Sequence, residues 1–290
     1  MTDRLYMPGY LGQILKKFNF SFSKSLGQNF LIDGNVVRSI VEGAGVENED
    51  LVIEIGPGVG TLTEELALNA KKVIAIEIDR RLIPILEYTM EKYENVEVIH
   101  ADAMEVDFNQ LIMKNSGYKG VKLVANLPYN VGTAIVAQLL EDGVGFESMT
   151  VMLQKEVADR MVAEPGSKQY GALSVLVGYK AVAKPVLRVP KTVFNPKPKI
   201  DSMVVRLDLK HNEQKPYEKT MFQLVRAGFN QRRKTIVNSL TSGEVEISKN
   251  ELREILAEVG IPENARAENL SVVDFARVAE RLEKISRNSE

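Results

Sequence analysis

The run Asn126-Leu127-Pro128-Tyr129 sets an amide, a rigid imide and an aromatic ring directly after the apolar stretch VKLVA. Those residue types at that spacing suit work on the exocyclic amino group of an adenine. That nitrogen is a poor nucleophile, because its lone pair is delocalised into the ring. The Asn126 side-chain oxygen and a backbone carbonyl, that of Leu127, could accept both N–H groups and draw the nitrogen toward tetrahedral geometry. Pro128 fixes its own φ and stiffens the turn, and Tyr129 can stack on a base turned out of its strand. No strong general base is needed, since the nitrogen becomes acidic once alkylated and can lose its proton to water. Alignment and electrostatics would then carry the rate. The plainer alternative is a turn whose tyrosine packs into a core. Phe194, in VFNPKPK, is read as a second stacking partner, because its loop is polar and held by two prolines. Lys191, Lys197 and Lys199 on the same loop are placed to meet phosphate.

A second group of residues suits ligand binding. The stretch LVIEI runs directly into Gly56-Pro57-Gly58-Val59-Gly60, and glycines there let the chain turn tightly and let a ligand approach the main chain. A dinucleotide fingerprint would need its third glycine at position 61, which is Thr61. The spacing is instead E-x-G-x-G-x-G from Glu54, which resembles motif I of the class I methyltransferases, whose cofactor carries no phosphate. Glu77, in VIAIEID, stands where such an enzyme accepts both ribose hydroxyls. Asp102, in VIHADAM, stands where it accepts a hydrogen bond from the adenine amino group. Each carboxylate alone reads as a strand-end loop residue. All three motifs at successive strand C-termini, where open α/β sheets bind ligands, point to S-adenosyl-L-methionine as cofactor.

The elements that must position these groups follow from hydrophobic periodicity. Strands are expected at Leu51–Ile55, Val73–Ile78, Val96–Ile99, Val121–Ala125 and Met149–Leu153, with helices at Thr61–Asn69, Arg80–Tyr93 and Gly132–Leu140 between them. That alternation implies a parallel sheet covered on both faces. Ahead of it, Val36, Val37, Ile40 and Val41 make a helical pattern with Asp33 as its cap. Two β-rich runs, Val182–Val189 and Ser202–Leu209, flank the Phe194 loop. The polar HNEQKP at 211–216 reads as a linker, and helical patterns follow near Tyr217–Phe229, Arg233–Leu240, Lys249–Val259 and Ser271–Ser286. The expected division is therefore 1–210, α/β, with an N-terminal extension over 1–24, and 211–290, helical.

Composition bounds the partners. The chain has 290 residues and no cysteine, which excludes disulfides, thiolate zinc sites and cysteine nucleophiles and fits a reducing cytoplasm. His100 and His211 are the two histidines, and no metal site is expected from them. No stretch has the length and apolarity of a membrane span. The net charge of −2 hides an uneven distribution. Between Glu42 and Asp107 sixteen acidic residues face five basic ones, whereas Lys184–Arg206 carries six basic and one acidic. Lys219–Gly243 has five basic residues and none acidic. A basic run is usually a solvated face, but two beside a base-binding motif suit a polyanion. Arg226, Arg232, Arg233 and Lys234 are the expected RNA contacts of the helical part.

With LGQNFLID, EIGPGVGTLT, IEID, ADAM, NLPYNVGT, LQKEVADRM, VFNPKPKIDS and FNQRRKT in this order, the whole chain resembles the KsgA-type small-subunit ribosomal RNA adenine dimethyltransferases. The resemblance implies a class I S-adenosylmethionine-dependent methyltransferase fold, Rossmann-like, with a small all-helical C-terminal domain. It implies dimethylation at N6 of two adjacent adenosines near the 3′ end of small-subunit (16S) rRNA, within a 30S assembly intermediate; a monomer suits an enzyme that docks on so large a particle. It also implies that Gln28, Asn29 and Leu31 close over the cofactor and that Asn126 serves both the methionine moiety and the target amine. Val131-Gly132-Thr133 departs from the isoleucine-serine-threonine often found there. The Erm-type methylases of large-subunit rRNA share QNFL and N-x-P-[YF]; FNQRRKT and VFNPKPKIDS favour the small-subunit enzyme. DNA adenine methyltransferases usually begin the catalytic motif with an acidic residue. A nicotinamide oxidoreductase is disfavoured by Thr61, and a catalytically silent assembly factor by the intact Glu77, Asp102 and NLPY.

Overall fold

A computed structural model describes residues 4–23, 26–211, 214–241 and 247–288. Met1 to Asp3 of the extension, Lys24 and Ser25 ahead of LGQNFLID, Asn212 and Glu213 of the expected linker, and Ser242 and Gly243 at the end of the basic run lie outside them.

Nine strands are described: β1 Phe30–Leu31, β2 Leu51–Ile55, β3 Lys72–Glu77, β4 Val96–His100, β5 Val121–Asn126, β6 Ser148–Gln154, β7 Ala181–Val189, β8 Phe194–Asn195 and β9 Ser202–Leu209. Twelve α-helices accompany them among the described residues. The first seven are α1 Pro8–Lys17, α2 Gly34–Ala44, α3 Thr61–Asn69, α4 Ile83–Met90, α5 Phe108–Lys114, α6 Gly132–Glu141 and α7 Lys155–Met161. The remaining five are α8 Ala172–Lys180, α9 Glu218–Asn230, α10 Ile236–Leu240, α11 Lys249–Glu258 and α12 Val272–Asn288.

Seven strands form one sheet in the order β4-β3-β2-β5-β6-β9-β7. Strands β4, β3, β2, β5 and β6 are mutually parallel, and β9 joins β6 antiparallel. The central strands are mostly apolar and buried along nearly their whole length, as both-faces-covered parallel strands must be, with Glu54 and Lys122 as buried charged exceptions. The chain leaves β2 toward β3 and β4, then returns to the other side of β2 for β5 and β6. The crevice at that reversal lies beyond the C-termini of β2 and β5, and it takes Gly56 from one strand and Asn126 from the other.

Helix boundaries differ from expectation where side chains compete for the backbone. The helix expected from Arg80 begins at Ile83, because Asp79 closes a turn first: its Oδ1 accepts from the Arg81 amide at 3.0 Å and its carbonyl from the Leu82 amide at 2.8 Å. Asp33 caps α2 as its position suggests, accepting from the Asn35 and Val36 amides at 2.8 and 3.1 Å. The N-terminal extension, without a readable motif, forms α1. Its Leu11, Ile14 and Leu15 pack in one cluster with Leu82, Ile85 and Met90.

The chain divides into two compact units, but not at a single point near 210. One unit runs to Ala158 and resumes over Val182–Leu209; the other comprises Asp159–Ala181 and the chain from Lys210 onward. The cause is burial. Tyr170 and Val175 belong to the second unit's core with Met221, Leu224 and Phe275, and the Tyr170 hydroxyl donates to the Leu270 carbonyl at 2.9 Å.

Candidate active site

A cleft of about 190 Å³ opens at the β2/β5 crevice. Its walls come from the turn after β2, the ends of β3 and β4, the turn after β5 and the segment leading into β1. Gln28, Asn29, Leu31, Glu54, Gly56, Gly58, Glu77, Asp102, Asn126, Leu127, Pro128 and Tyr129 all line it. The fold thus gathers motifs a hundred residues apart into one cavity.

The glycine turn works as a set of backbone constraints. Gly56, Gly58 and Gly60 have φ of 71°, 64° and 92°, a region that favours glycine. A Cβ on Gly58 would stand 2.8 Å from the Phe30 ring, so the glycine lets that ring close against the turn. Gly60 departs from its expected role. It does not line the cleft; a Cβ there would meet Met90 at 2.7 Å, and the residue serves the packing of α3 on α4.

The carboxylates differ in environment. Glu77 is buried, and its oxygens accept from the Gly58 amide at 3.2 Å and the Asp79 amide at 2.8 Å. Burial pushes its pKa up, opposed by those two N–H donors. Glu54 is buried more completely, and desolvation pushes it up to about 8 against the Thr63 hydroxyl, which donates to its Oε2 at 2.6 Å. Asp102 is half-buried and accepts from the Met104 amide at 2.9 Å. Among the described residues, no lysine, arginine or histidine lines the cleft. Such a lining disfavours a pyrophosphate and suits a cationic ligand with hydroxyl and amino donors.

The segment before β1 is strapped across the cleft. Gln28 donates from Nε2 to Asp79 Oδ2 at 2.7 Å and accepts at Oε1 from the Ser23 amide at 2.8 Å, so both ends of its amide are engaged by the protein. Arg81 pairs with the same Asp79 at 2.6 Å, reaches the Ser21 carbonyl at 3.3 Å and lies over the Phe20 ring. That pairing holds the Asp79 carboxyl below its ordinary range. Phe20 and Phe22 in turn pack on Phe30. Phe30, Asp79 and Arg81 were not singled out by sequence reasoning; the aromatic density of FNFSF was the available signal.

At the turn after β5, Asn126 Nδ2 donates to the Asn29 carbonyl at 3.3 Å, which fixes the amide. Asn126 Oδ1 and the Leu127 carbonyl accept nothing among the described residues, whereas the Pro128 carbonyl takes the Gly132 amide at 2.8 Å. Tyr129 is half-buried, and its hydroxyl meets Ser202 Oγ at 2.6 Å.

Some of the expected residues make contacts within the protein itself. Phe194 is 3% exposed and packs with Leu31, its antiparallel partner in the β1–β8 ribbon, so its ring lies in the core of this structure. The ribbon turns that one side chain inward from an otherwise polar loop. Lys191 donates through Nζ to the Lys199 carbonyl at 3.2 Å and closes its own loop; Lys197 and Lys199 are exposed. In the helical unit Arg226, Arg232, Arg233 and Lys234 are all exposed, and Arg232 also donates to the Tyr170 carbonyl at 2.9 Å and pairs with Glu268 at 3.7 Å. His100 is exposed, with Nε2 3.2 Å from the Ile78 carbonyl. No cluster that could hold a metal ion, and no helix long and apolar enough to cross a membrane, occurs among the described residues.

A mostly parallel sheet with this crevice and this glycine turn defines a class I methyltransferase fold. Residues 19–284 match the family model "Ribosomal RNA adenine dimethylase", and the chain belongs to that family. It is 46% identical over 284 residues to "Ribosomal RNA small subunit methyltransferase A" of Alkaliphilus oremlandii, covering 97% of this chain and 99% of the relative. It is 49% identical over 278 residues to the protein of the same name in Clostridium perfringens, covering 95% and 96%. Among solved structures it resembles a dimethyladenosine transferase from Plasmodium falciparum, with TM-score 0.73 and 28% identity over 88% of this chain and 98% of that one. It also resembles the 23S rRNA methyltransferase ErmE, with TM-score 0.68 and 27% identity over 88% of this chain and 100% of that one.

Proposed function

We propose that the protein dimethylates N6 of two adjacent adenosines near the 3′ end of small-subunit rRNA, on an assembling small subunit in the cytoplasm, acting as a monomer. The observation that carries the reading is one cavity joining an acidic, base-free lining to a turn whose Asn126 Oδ1 and Leu127 carbonyl are open acceptors. S-adenosyl-L-methionine supplies an electrophilic methyl group on a cationic sulfonium. Glu77 would take the ribose hydroxyls and Asp102 the adenine amino group of that cofactor, with Gly56 and Gly58 admitting it to the main chain. Gln28, Asn29 and Leu31 would cover it. Asn126 and Leu127 would accept the two N–H bonds of the target amine, Pro128 would keep the turn rigid, and Tyr129 would stack on the extruded base. Lys197, Lys199, Arg226, Arg233 and Lys234 would meet phosphates.

The choice of small over large subunit rests on the 46–49% identity to curated small-subunit enzymes over nearly the whole chain, against 27% to ErmE. The test is incubation with labelled S-adenosyl-L-methionine and, in parallel, under-methylated small subunits, large subunits, naked rRNA and duplex DNA, with nucleosides identified by mass spectrometry. N6,N6-dimethyladenosine in small subunits alone supports the proposal. Label in large-subunit RNA moves the activity to the Erm type, and no label with cofactor still bound leaves an assembly factor.

A further inference from the structure

Tyr129 enters the cleft from a stiff turn, and its far end is held as well. The hydroxyl lies 2.6 Å from Ser202 Oγ, and Ser202 is wholly buried as the first residue of β9. Its register partner is Gln154, the last residue of β6, so the hydroxyl is carried by the edge of a paired strand rather than by a loose loop. The preceding residue anchors that edge further. Asp201 accepts from the Lys191 amide at 3.0 Å and from Arg188 Nη2 at 3.0 Å, and its carbonyl accepts from the Lys155 amide at 3.1 Å. Burial raises the Tyr129 pKa, so the phenol keeps its proton and the O–H···O contact persists at working pH.

We propose that Ser202 is a positioning residue for methyl transfer: its hydroxyl fixes the Tyr129 ring so that one face stays presented to the target base. This inference rests on the stacking role given to Tyr129 above. A ring tethered at Cα alone retains freedom about χ1 and χ2. A second tether at Oη removes most of it before the base arrives, so the ordering cost is not met during binding. The acidic and serine positions at the end of VFNPKPKIDS gain a reason in the same stroke. Asp201 sets the strand edge and Ser202 carries the tether.

A double-mutant cycle tests this on the intact protein, with single-turnover methylation of under-methylated small subunits as readout. Ser202→Ala and Tyr129→Phe remove the same contact from opposite sides. Each is expected to slow transfer by about five- to tenfold, the size of one neutral hydrogen bond. The double variant should be no slower than either single one, and cofactor affinity should stay unchanged in all three. A 2-aminopurine at the target position should fluoresce more brightly in the Ser202→Ala complex, reporting a poorly stacked base. Full rate in Ser202→Ala, or losses that multiply in the double variant, would overturn the proposal. Should Ser202→Ala unfold, Tyr129→Phe leaves the buried serine in place, and an unchanged rate there has the same force. Tyr129→Ala separates the two levels: normal turnover defeats the stacking role itself, whereas an inactive Tyr129→Ala beside a fully active Ser202→Ala defeats only the tether.

Discussion

The two walls of the cleft are built on opposite principles. On the carboxylate side the polar groups are already engaged: Glu77 holds two backbone N–H groups, Glu54 a hydroxyl, and Gln28 is used at both ends. On the Asn126 side the oxygens that matter are held in place yet left open. Under the proposed function, the difference divides binding from chemistry. A cofactor wall needs a fixed shape and a fixed sign of charge, which engaged groups provide. A transfer wall needs acceptors whose strongest partner arrives only with the reacting nitrogen, so that their contribution is largest in the transition state.

The largest expected effect lies on the open wall. Asn126→Ala should slow single-turnover transfer by about a hundredfold or more, the usual size for removing one preorganised polar partner; a near-normal rate would erase the contrast between the walls. Glu77→Gln should instead weaken cofactor binding by roughly ten- to a hundredfold, as expected for loss of charged hydrogen bonds, with calorimetric titration as the check. Removing the strap through Arg81→Ala should weaken cofactor binding only severalfold and lower the melting temperature. An unchanged affinity would show that the segment from Gln28 to Leu31 needs no anchor.

Smaller effects sharpen the electrostatic side. The Glu54 pKa in the fold, about 8, exceeds its ordinary 4.5, so the folded protein keeps a proton that the unfolded chain has released between those values. Its contribution to stability is therefore complete below about 4.5, falls as pH rises through about 8, and is level beyond. The melting temperature should drop across that window, and Glu54→Gln should flatten the drop. The smallest effect concerns the helical unit. Arg233→Ala should reduce the slope of log K against log salt by about 0.7 if it meets one phosphate of a single strand. Arg232→Ala should leave that slope alone and cost stability, because its guanidinium is bound to the Tyr170 carbonyl.

Most of the cofactor wall was legible because each of its parts is local: a strand, a turn with positive φ, and a carboxylate at the strand's end. Glu54, Gly56, Gly58, Glu77 and Asp102 could be read from their strand-end positions together with the resemblance to motif I, and all five reach one cavity. Gly60 shows the limit, since the same backbone requirement served helix packing rather than the ligand. Side-chain direction in short or irregular segments was not legible. Phe194 and Lys199 share one loop, and nothing in their spacing says that the first turns inward onto Leu31 while the second stays in water.

By itself the sequence determined the parallel sheet, the crevice and the residue types offered there, because hydrophobic period and glycine placement act through neighbours along the chain. Only the tertiary structure decided that Asp159–Ala181 belongs with the helical unit, that Asp79 and Arg81 anchor a strap from the N-terminal segment, and that Ser202 meets Tyr129. Those pairings span from about fifty to a hundred residues of sequence. They are set by which surfaces the core brings together, and no periodicity along the chain encodes them.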